Sequence, residues 1–233
     1  MSNRLSDIQS NLEIIQSKIN KACSAAGRDI SEITLIAVTK TYPASDVDLL
    51  KQLGIENVGE NRDQEASSKK SEVKNQFNWH FIGQLQSNKA KSVVNYSDLI
   101  HSVDRWSLAK EIQKSAQGIN KVQPVLIQVD LDQSGPDPTR GGIWPIELNE
   151  LVQLINQASH LELKGLMSVA PLGEKPEHAF ARLKEIRVGF LKDNPGAQIL
   201  SAGMSDDLEA AILQGATHLR IGSALLGQRP KIG

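Results

Sequence analysis

The sequence has few of the features that mark secreted, redox-active or metal-binding proteins. Cys23 is the single cysteine among 233 residues, so no internal disulfide can form. There is also no CxxC pair and no histidine cluster with metal-ligand spacing, so the sequence predicts no metal site. A reducing cytoplasm is the predicted compartment.

Long apolar runs and an excess of one charge are absent as well. No stretch predicts a membrane-spanning segment. The 26 basic and 27 acidic residues nearly cancel, and no long block carries one sign, so neither nucleic acid nor an anionic membrane is an expected partner. The first 23 residues have the spacing of an amphipathic helix rather than the apolar core of a signal peptide. We expect a small-molecule partner.

After this N-terminal helix, strand-like runs alternate with runs of helical spacing. Several strands are apolar on both faces, which is typical of strands covered by helices on one side and facing a barrel interior on the other. Eight such units predict an α/β fold, a single (β/α)8 TIM barrel over residues 1–233 with an additional N-terminal helix. The predicted strands lie near residues 33–39, 57–60, 78–84, 98–103, 124–131, 161–169, 197–202 and 217–221.

Two alternatives to the barrel stay open at this point. An open doubly wound sheet has the same alternation, but residues 39–43 lack the glycine-rich dinucleotide fingerprint after the first strand. Two small domains also fit the length, although no linker divides the chain. The Pro- and Gly-rich loop 132–142 follows the fifth strand and is either a lid or a mobile surface loop.

Lys40 ends the first strand-like run. A charged amine at the end of an apolar strand is costly unless it is solvated, paired or chemically used. Desolvation lowers the pKa of an amine, and the neutral amine can condense with an aldehyde to form a Schiff base. A solvated surface lysine is the alternative.

Two segments near the other end of the chain predict a phosphate site. Residues 201–207 lead into a helix, where backbone N–H groups and the Ser205 hydroxyl can bind an anion. A helix cap formed by Ser205 or Asp206 is the structural alternative. Gly222 and Ser223 follow the last strand, where barrels commonly bind phosphate.

Four charged or titratable residues also fall near strand ends. Arg220 is expected to point into the barrel mouth, where its guanidinium needs a partner, and a structural ion pair is the alternative. His80 is predicted to be a hydrogen-bonded wall residue, although histidine is the usual proton carrier near neutral pH. Glu60 and Asp104 are predicted to orient their neighbours. No catalytic residue is predicted.

Six segments resemble the YggS/PROSC family of pyridoxal-phosphate homeostasis proteins. They match in order across nearly the whole chain, and the WHFIGQLQSNK block is highly specific. The resemblance implies a fold similar to the N-terminal barrel of alanine racemase. The segments are residues 36–40 (IAVTK), 59–62 (GENR), 79–89 (WHFIGQLQSNK), 165–167 (GLM), 201–207 (SAGMSDD) and 219–227 (LRIGSALLG).

The resemblance implies that this chain binds pyridoxal 5'-phosphate (PLP). Lys40 would carry the cofactor as a covalent internal aldimine. The phosphate would be held by Ser205, Gly222 and Ser223, and Ser201 would assist.

Asn61 and Arg220 complete the cofactor-binding set that the resemblance implies. Asn61 would lie beside the cofactor ring and its phenolic oxygen, and Arg220 would face the pyridine nitrogen. A permanent cation there disfavours ring protonation and weakens the cofactor as an electron sink, so transaminase-like chemistry is not expected.

The chain departs from the family pattern in three places. The loop after the fifth strand has Pro-Thr-Arg-Gly-Gly at 138–142, where the family commonly has Ser-Lys-Gly or Lys-Gly-Gly. Ala202 replaces a methionine of the usual Ser-Met-Gly-Met-Ser, a tolerated change. No second domain follows that would supply the opposing tyrosine of alanine racemase, so we expect a monomer without two-base racemisation.

The leading functional prediction is a non-enzymatic, PLP-binding homeostasis protein that influences the pools of vitamin B6 and of amino and keto acids. A weak PLP-dependent amino-acid racemase or a Schiff-base aldolase is the alternative. A purely regulatory interaction protein is a third possibility, but the sequence shows no obvious partner surface.

Overall fold

The eight strands close into a parallel barrel in chain order, and β8 pairs back with β1. The structure is a computed structural model that describes residues 2–135 and 141–228. It confirms the predicted (β/α)8 architecture, and all eight predicted strands are present. Their bounds are β1 Thr34–Val38, β2 Asn57–Glu60, β3 Asn78–Phe81, β4 Leu99–Val103, β5 Gln123–Gln128, β6 Leu161–Met167, β7 Ile199–Ser201 and β8 His218–Ile221.

Helices connect the strands and cover the outside of the barrel. No helix within the described ranges is long and apolar enough to cross a membrane. Short 3₁₀ turns lie at Ile30–Glu32, Ser87–Lys89 and Pro145–Glu147. The α-helices are α1 Ser2–Ala26, α2 Ala44–Gln52, α3 Asp63–Glu72, α4 Ala90–Tyr96, α5 Trp106–Gly118, α6 Leu148–Asn156, α7 Pro176–Asp193, α8 Leu208–Leu213 and α9 Ser223–Leu226.

Helix α1 covers the part of the wall that the short helix α9 leaves open. It packs against α8 and α9, and its apolar stripe is buried, as the sequence predicts. Arg4 ties the helix to the barrel by donating to the Asp46 carboxylate and to the Leu226 carbonyl oxygen. The N-terminal helix and the short helix α9 therefore cover this part of the wall together.

Two regions fill the molecule. The outer layer, between strands and helices, is a continuous apolar core that includes Val47, Leu50, Leu108 and Ile112, all fully buried. A much smaller apolar cluster lies inside the barrel. Its members are Leu99, Leu126 and Met167, with Ile199 packed against them. Another part of the interior holds buried polar side chains, among them His80, His101, Ser201 and Arg220, whereas barrel interiors are commonly filled by branched apolar side chains.

Candidate functional site

Strand pairing brings the ends of β1, β2 and β8 together at the carboxyl-terminal mouth of the barrel. Val38 pairs with Gly59 on β2, and Ala37 pairs with Ile221 on β8. A Cβ added at Gly222 would lie 3.5 Å from the Val38 Cβ. Lys40, two residues beyond Val38 and half-buried, therefore lies between the segments that carry Asn61 on one side and Gly222 on the other.

A buried ion pair fixes the backbone just before Lys40. Lys69, on α3, donates to the Thr39 carbonyl oxygen at 2.7 Å and to Glu60 Oε1 at 2.5 Å. The Thr39 hydroxyl donates to the same carboxylate oxygen at 2.6 Å. Burial raises the pKa of Glu60, although the Lys69 charge and these hydrogen bonds pull it down. Glu60 thus orients its neighbours, as expected.

The backbone just after Lys40 is held by the same helix. Glu65 accepts a short hydrogen bond from the Thr41 backbone N–H and a second one from Lys69 at 2.9 Å. Thr41 has a φ of 70°, in the left-handed region that non-glycine residues rarely adopt. Such strain persists only where the surroundings enforce it. The turn that carries Lys40 is therefore clamped from both sides.

Arg220 is a buried cation at the barrel mouth. Only 5% of the residue is exposed, and burial lowers the pKa of its guanidinium to about 10. It donates to Ser201 Oγ at 2.7 Å and to the Ser168 carbonyl oxygen at 2.9 Å, both neutral acceptors. Within the described residues Arg220 forms no salt bridge, so the structural ion pair considered from the sequence is not found there.

Behind Arg220 a line of hydrogen bonds crosses the barrel interior. Ser201 Oγ lies 2.9 Å from His101 Nδ1, and His101 Nε2 lies 2.9 Å from His80 Nδ1. His80 Nε2 lies 3.1 Å from Asn57 Oδ1. We call Asn57, His80, His101, Ser201 and Arg220 the interior chain.

Both histidines of the interior chain are uncharged at neutral pH. Burial lowers the pKa of His80 to about 3. Burial also lowers the pKa of His101 well below its ordinary value, and the neighbouring His80 and the Arg220 charge act in the same direction. His218 lies in the same interior, with its ring centroid 6.3 Å from that of His80 and its Nδ1 within hydrogen-bond distance of the Thr217 hydroxyl. Burial lowers the pKa of His218 to about 4.

A cavity of about 470 Å³ opens beside the β2 and β3 ends. It is lined by Asn61, Arg62, Phe81, Gln84 and Lys89, among others. Its wall needs glycine at position 83, where an added Cβ would lie only 2.2 Å from the Asn61 carbonyl oxygen. The volume is in the range of small-molecule sites.

The side-chain oxygen of Asn61 is buried and has no hydrogen-bond partner among the residues that the structure describes. Because the oxygen and nitrogen of an amide exchange on a flip, either end of this group can meet a polar ligand atom.

Ser205 lies close to the turn after β8. It borders a small cavity of about 60 Å³ together with Ile221 and Ala224. Its hydroxyl has no hydrogen bond within residues 2–135 and 141–228, so it does not form the helix cap considered from the sequence. Asp207 closes this loop instead, by accepting from the Met204 backbone N–H at 2.5 Å.

The comparisons with known proteins agree with this architecture. The sequence profile of the alanine racemase N-terminal domain family matches residues 4–230. The pyridoxal phosphate homeostasis protein of Pseudomonas aeruginosa is 40% identical over 229 residues, covering 97% of each chain. That of Aquifex aeolicus is 40% identical over 223 residues, covering 94% of this chain and 96% of the relative.

The chain belongs to the alanine racemase N-terminal domain family and, within it, to the pyridoxal phosphate homeostasis proteins. The family resemblance seen in the sequence is thereby confirmed. Among solved structures, PLP-bound PipY from Synechococcus elongatus PCC7942 has a TM-score of 0.82 and 31% identity. The match covers 94% of this chain and 100% of PipY.

The structure thus brings together strand ends that carry most of the residues predicted for the homeostasis-protein site. Lys40, Asn61, Gly222 and Ser223 follow adjacent strands. Ser205 borders a cavity with Ile221 and Ala224, the residues on either side of Gly222 and Ser223. Their contacts with a cofactor stay predictions. The departure from the family pattern at 138–140 lies outside the described residues, so the lid interpretation of the loop stays a prediction as well.

Sequence reasoning missed the residues that support this site from behind. Lys69 and Glu65 have i,i+4 spacing, which on a helix usually indicates a solvent-exposed pair. The signal for His101 was its position two residues after Leu99 in a strand, which puts both side chains on the interior face. Nothing local indicated that His101 meets Ser201, 100 residues away.

Proposed function

We propose that this protein binds PLP at the barrel mouth and takes part in PLP homeostasis, with Lys40 holding the cofactor as a Schiff base. The Lys40 amine condenses with the cofactor aldehyde and water is released. The names of the relatives and the PLP-bound structure of PipY support this proposal. The observation that carries it is the buried Arg220 cation, whose hydrogen-bond partners among the described residues are both neutral and which lies on the strand beside Lys40.

The polar groups at the mouth fit the cofactor. A buried guanidinium with no salt bridge among the described residues suits the lone pair of the pyridine nitrogen. The buried amide of Asn61 is available for a ring substituent. The Ser205 hydroxyl, with Gly222 and Ser223, offers donors to the phosphate.

Ser201 acts indirectly in this proposal. It is fully buried, and its hydroxyl is engaged by Arg220 and His101. We therefore assign it to the support of Arg220 and leave the phosphate to residues 205, 222 and 223.

We infer that the protein holds the cofactor rather than turning over amino acids. Bound PLP supplies an electrophilic aldehyde and a pyridine ring whose electron withdrawal increases with protonation. Arg220 at the ring nitrogen opposes that protonation because two positive charges repel each other. The alternative, a weak racemase or a Schiff-base aldolase, predicts turnover. Incubation of PLP-loaded protein with amino acids in deuterated water distinguishes a holding role from racemase activity. Sustained exchange of the α-hydrogen would contradict the holding role.

Absorption spectroscopy tests the proposed site. Purified protein mixed with PLP is expected to gain a visible absorption band, and the Lys40→Ala variant is expected to lack it. Lys91→Ala, an exposed change on α4, is the matched control and should keep the band. A band of wild-type strength in Lys40→Ala would overturn the assignment. The monomeric state, the cytoplasmic location and the link to amino and keto acid pools stay predictions.

A further inference from the structure

The interior chain has a single direction, which Arg220 and the Ser201 hydroxyl impose. Arginine only donates hydrogen bonds, so Ser201 Oγ accepts from Arg220. At the other end, Asn57 Oδ1 accepts from Asn78 Nδ2 at 3.1 Å and from His80 Nε2 at 3.1 Å. With the Asn57 amide in this orientation, every hydrogen bond between the two ends runs from Arg220 towards Asn57.

The direction fixes the tautomer of each histidine. His80 donates from Nε2, so its Nδ1 accepts, and the Nε2 of His101 must donate to it. The Nδ1 of His101 then accepts the proton of the Ser201 hydroxyl. If the hydrogen bonds ran from Asn57 towards Arg220 instead, the Ser201 hydroxyl proton would have no acceptor among the described residues. Both histidines are therefore neutral and protonated at Nε2.

The location of the interior chain argues against a simple packing role. Filling the barrel with polar groups is unfavourable unless every group is satisfied, and the other half of the interior is apolar. The polar half begins at Arg220, whose guanidinium needs an acceptor on its inner side. Ser201 and the Ser168 carbonyl oxygen bind two of its nitrogens and fix the plane of the group.

We propose that His80 and His101 are positioning residues that hold the Arg220 guanidinium in one orientation at the barrel mouth, acting through Ser201. This inference rests on the proposed function, because the oriented guanidinium serves the ring of the bound cofactor. His80 lies three hydrogen bonds from Arg220, so its effect on the site is transmitted through the interior chain.

Nitrogen NMR of histidine-labelled full-length protein without cofactor tests the direction of the interior chain. We expect His80 and His101 each to show a protonated Nε2 and an unprotonated Nδ1. His80→Leu removes the acceptor of His101, so the His101 signals should become a mixture of tautomers. Leu126→Ala, in the apolar cluster of the same interior, is the matched control and should leave the tautomers of both histidines unchanged. A charged ring or a protonated Nδ1 in either histidine would overturn the proposal.

PLP titration of the same variants tests the positioning role. We expect His80→Leu to weaken PLP binding about tenfold and to shift the absorption band, because one polar contact of Arg220 is loosened. His80→Gln can accept from His101 and donate to Asn57, so it should restore affinity to within about twofold. A merely structural role predicts that His80→Leu and Leu126→Ala have the same PLP affinity once folded.

The outcomes separate the two claims. If wild type binds PLP and folded His80→Leu binds it with the same affinity and spectrum, the positioning role is wrong and the proposed function stands. If wild type shows the expected tautomers but binds no PLP, the proposed function fails and the positioning role fails with it.

Discussion

The outer layer and the barrel interior of this protein are built from different chemistry. The outer layer is mostly apolar, apart from the buried Lys69–Glu60 ion pair at α3, and packs nine described helices on the strands. The interior is divided between a small apolar cluster and a line of hydrogen-bonded polar groups that ends at the mouth. The outer layer therefore supplies most of the stability, while the polar half of the interior and the clamp around Lys40 shape the site. Substitutions in the two regions should have separable effects.

The largest expected effect comes from breaking the clamp around Lys40. Lys69→Met leaves the Glu60 carboxylate buried without its cation, which we expect to lower the free energy of unfolding by about 4 kcal/mol. Folded Lys69→Met should also bind PLP more weakly, because the turn that carries Lys40 is released. Urea unfolding and PLP titration measure the two effects.

Two further variants serve as controls for the clamp. Lys70→Met, one residue along the same helix, loses only an exposed contact with the Trp79 ring and should change stability little. Lys69→Met combined with Glu60→Gln removes the uncompensated charge and should recover most of the lost stability. Equal losses in Lys69→Met and Lys70→Met would contradict a buried ion pair.

Truncation in the outer layer should reduce stability and leave the site intact. Leu108→Ala removes a fully buried side chain of α5 and is expected to lower the free energy of unfolding by about 3 kcal/mol. At temperatures where the variant is folded, its PLP affinity should match wild type. A parallel fall in affinity would show that the two regions are coupled.

Each interior histidine is expected to have a smaller effect on the free energy of unfolding, and this effect depends on pH. A histidine whose pKa is lower in the folded than in the unfolded state binds protons mainly when the protein is unfolded. Its contribution to stability is therefore complete above the pKa of the unfolded state and is lost as pH falls. Between pH 6.5 and 5 we expect His80 to reduce the free energy of unfolding by about 1.5 kcal/mol. His101 and His218, whose pKa values burial also lowers, act in the same direction. Glu60 acts in the opposite direction because its pKa is raised in the folded state. Its contribution to stability is present below the pKa of the unfolded state and is lost as pH rises through the pKa of the folded state.

Urea unfolding across this pH range measures the histidine effect. His80→Leu should flatten the profile, since one depressed group is removed. A wild-type profile that is flat between pH 6.5 and 5 would mean that the histidines accept protons in the folded barrel.

The sequence predicts the barrel well because hydrophobic periodicity is local. Helix α1 and all eight strands follow from it, and errors are confined to strand ends. Strand β3 was predicted to reach residue 84 but ends at Phe81, because Gly83 turns the chain against the Asn61 backbone. The strand ends that carry Lys40 and Arg220 could be predicted from the pattern, and their chemistry from the family resemblance.

The supporting residues could not be predicted in the same way. Lys69 lies on a helix of polar composition, and only the three-dimensional structure shows that its amine is buried between Thr39 and Glu60. His101 acquires its partners from β3 and β7, which are distant in sequence. The partners of such residues come from other strands and helices, and only the closed barrel brings these side chains together.

Covalent attachment at Lys40 is the central claim, and borohydride reduction followed by peptide mass mapping tests it most directly. Reduction of PLP-loaded protein converts a Schiff base into a stable amine and marks the lysine that carried it. We predict that the cofactor mass is found on the peptide containing Lys40 and is lost in Lys40→Ala. A reduced adduct confined to other lysines, or no adduct from protein that has bound PLP, would contradict the account.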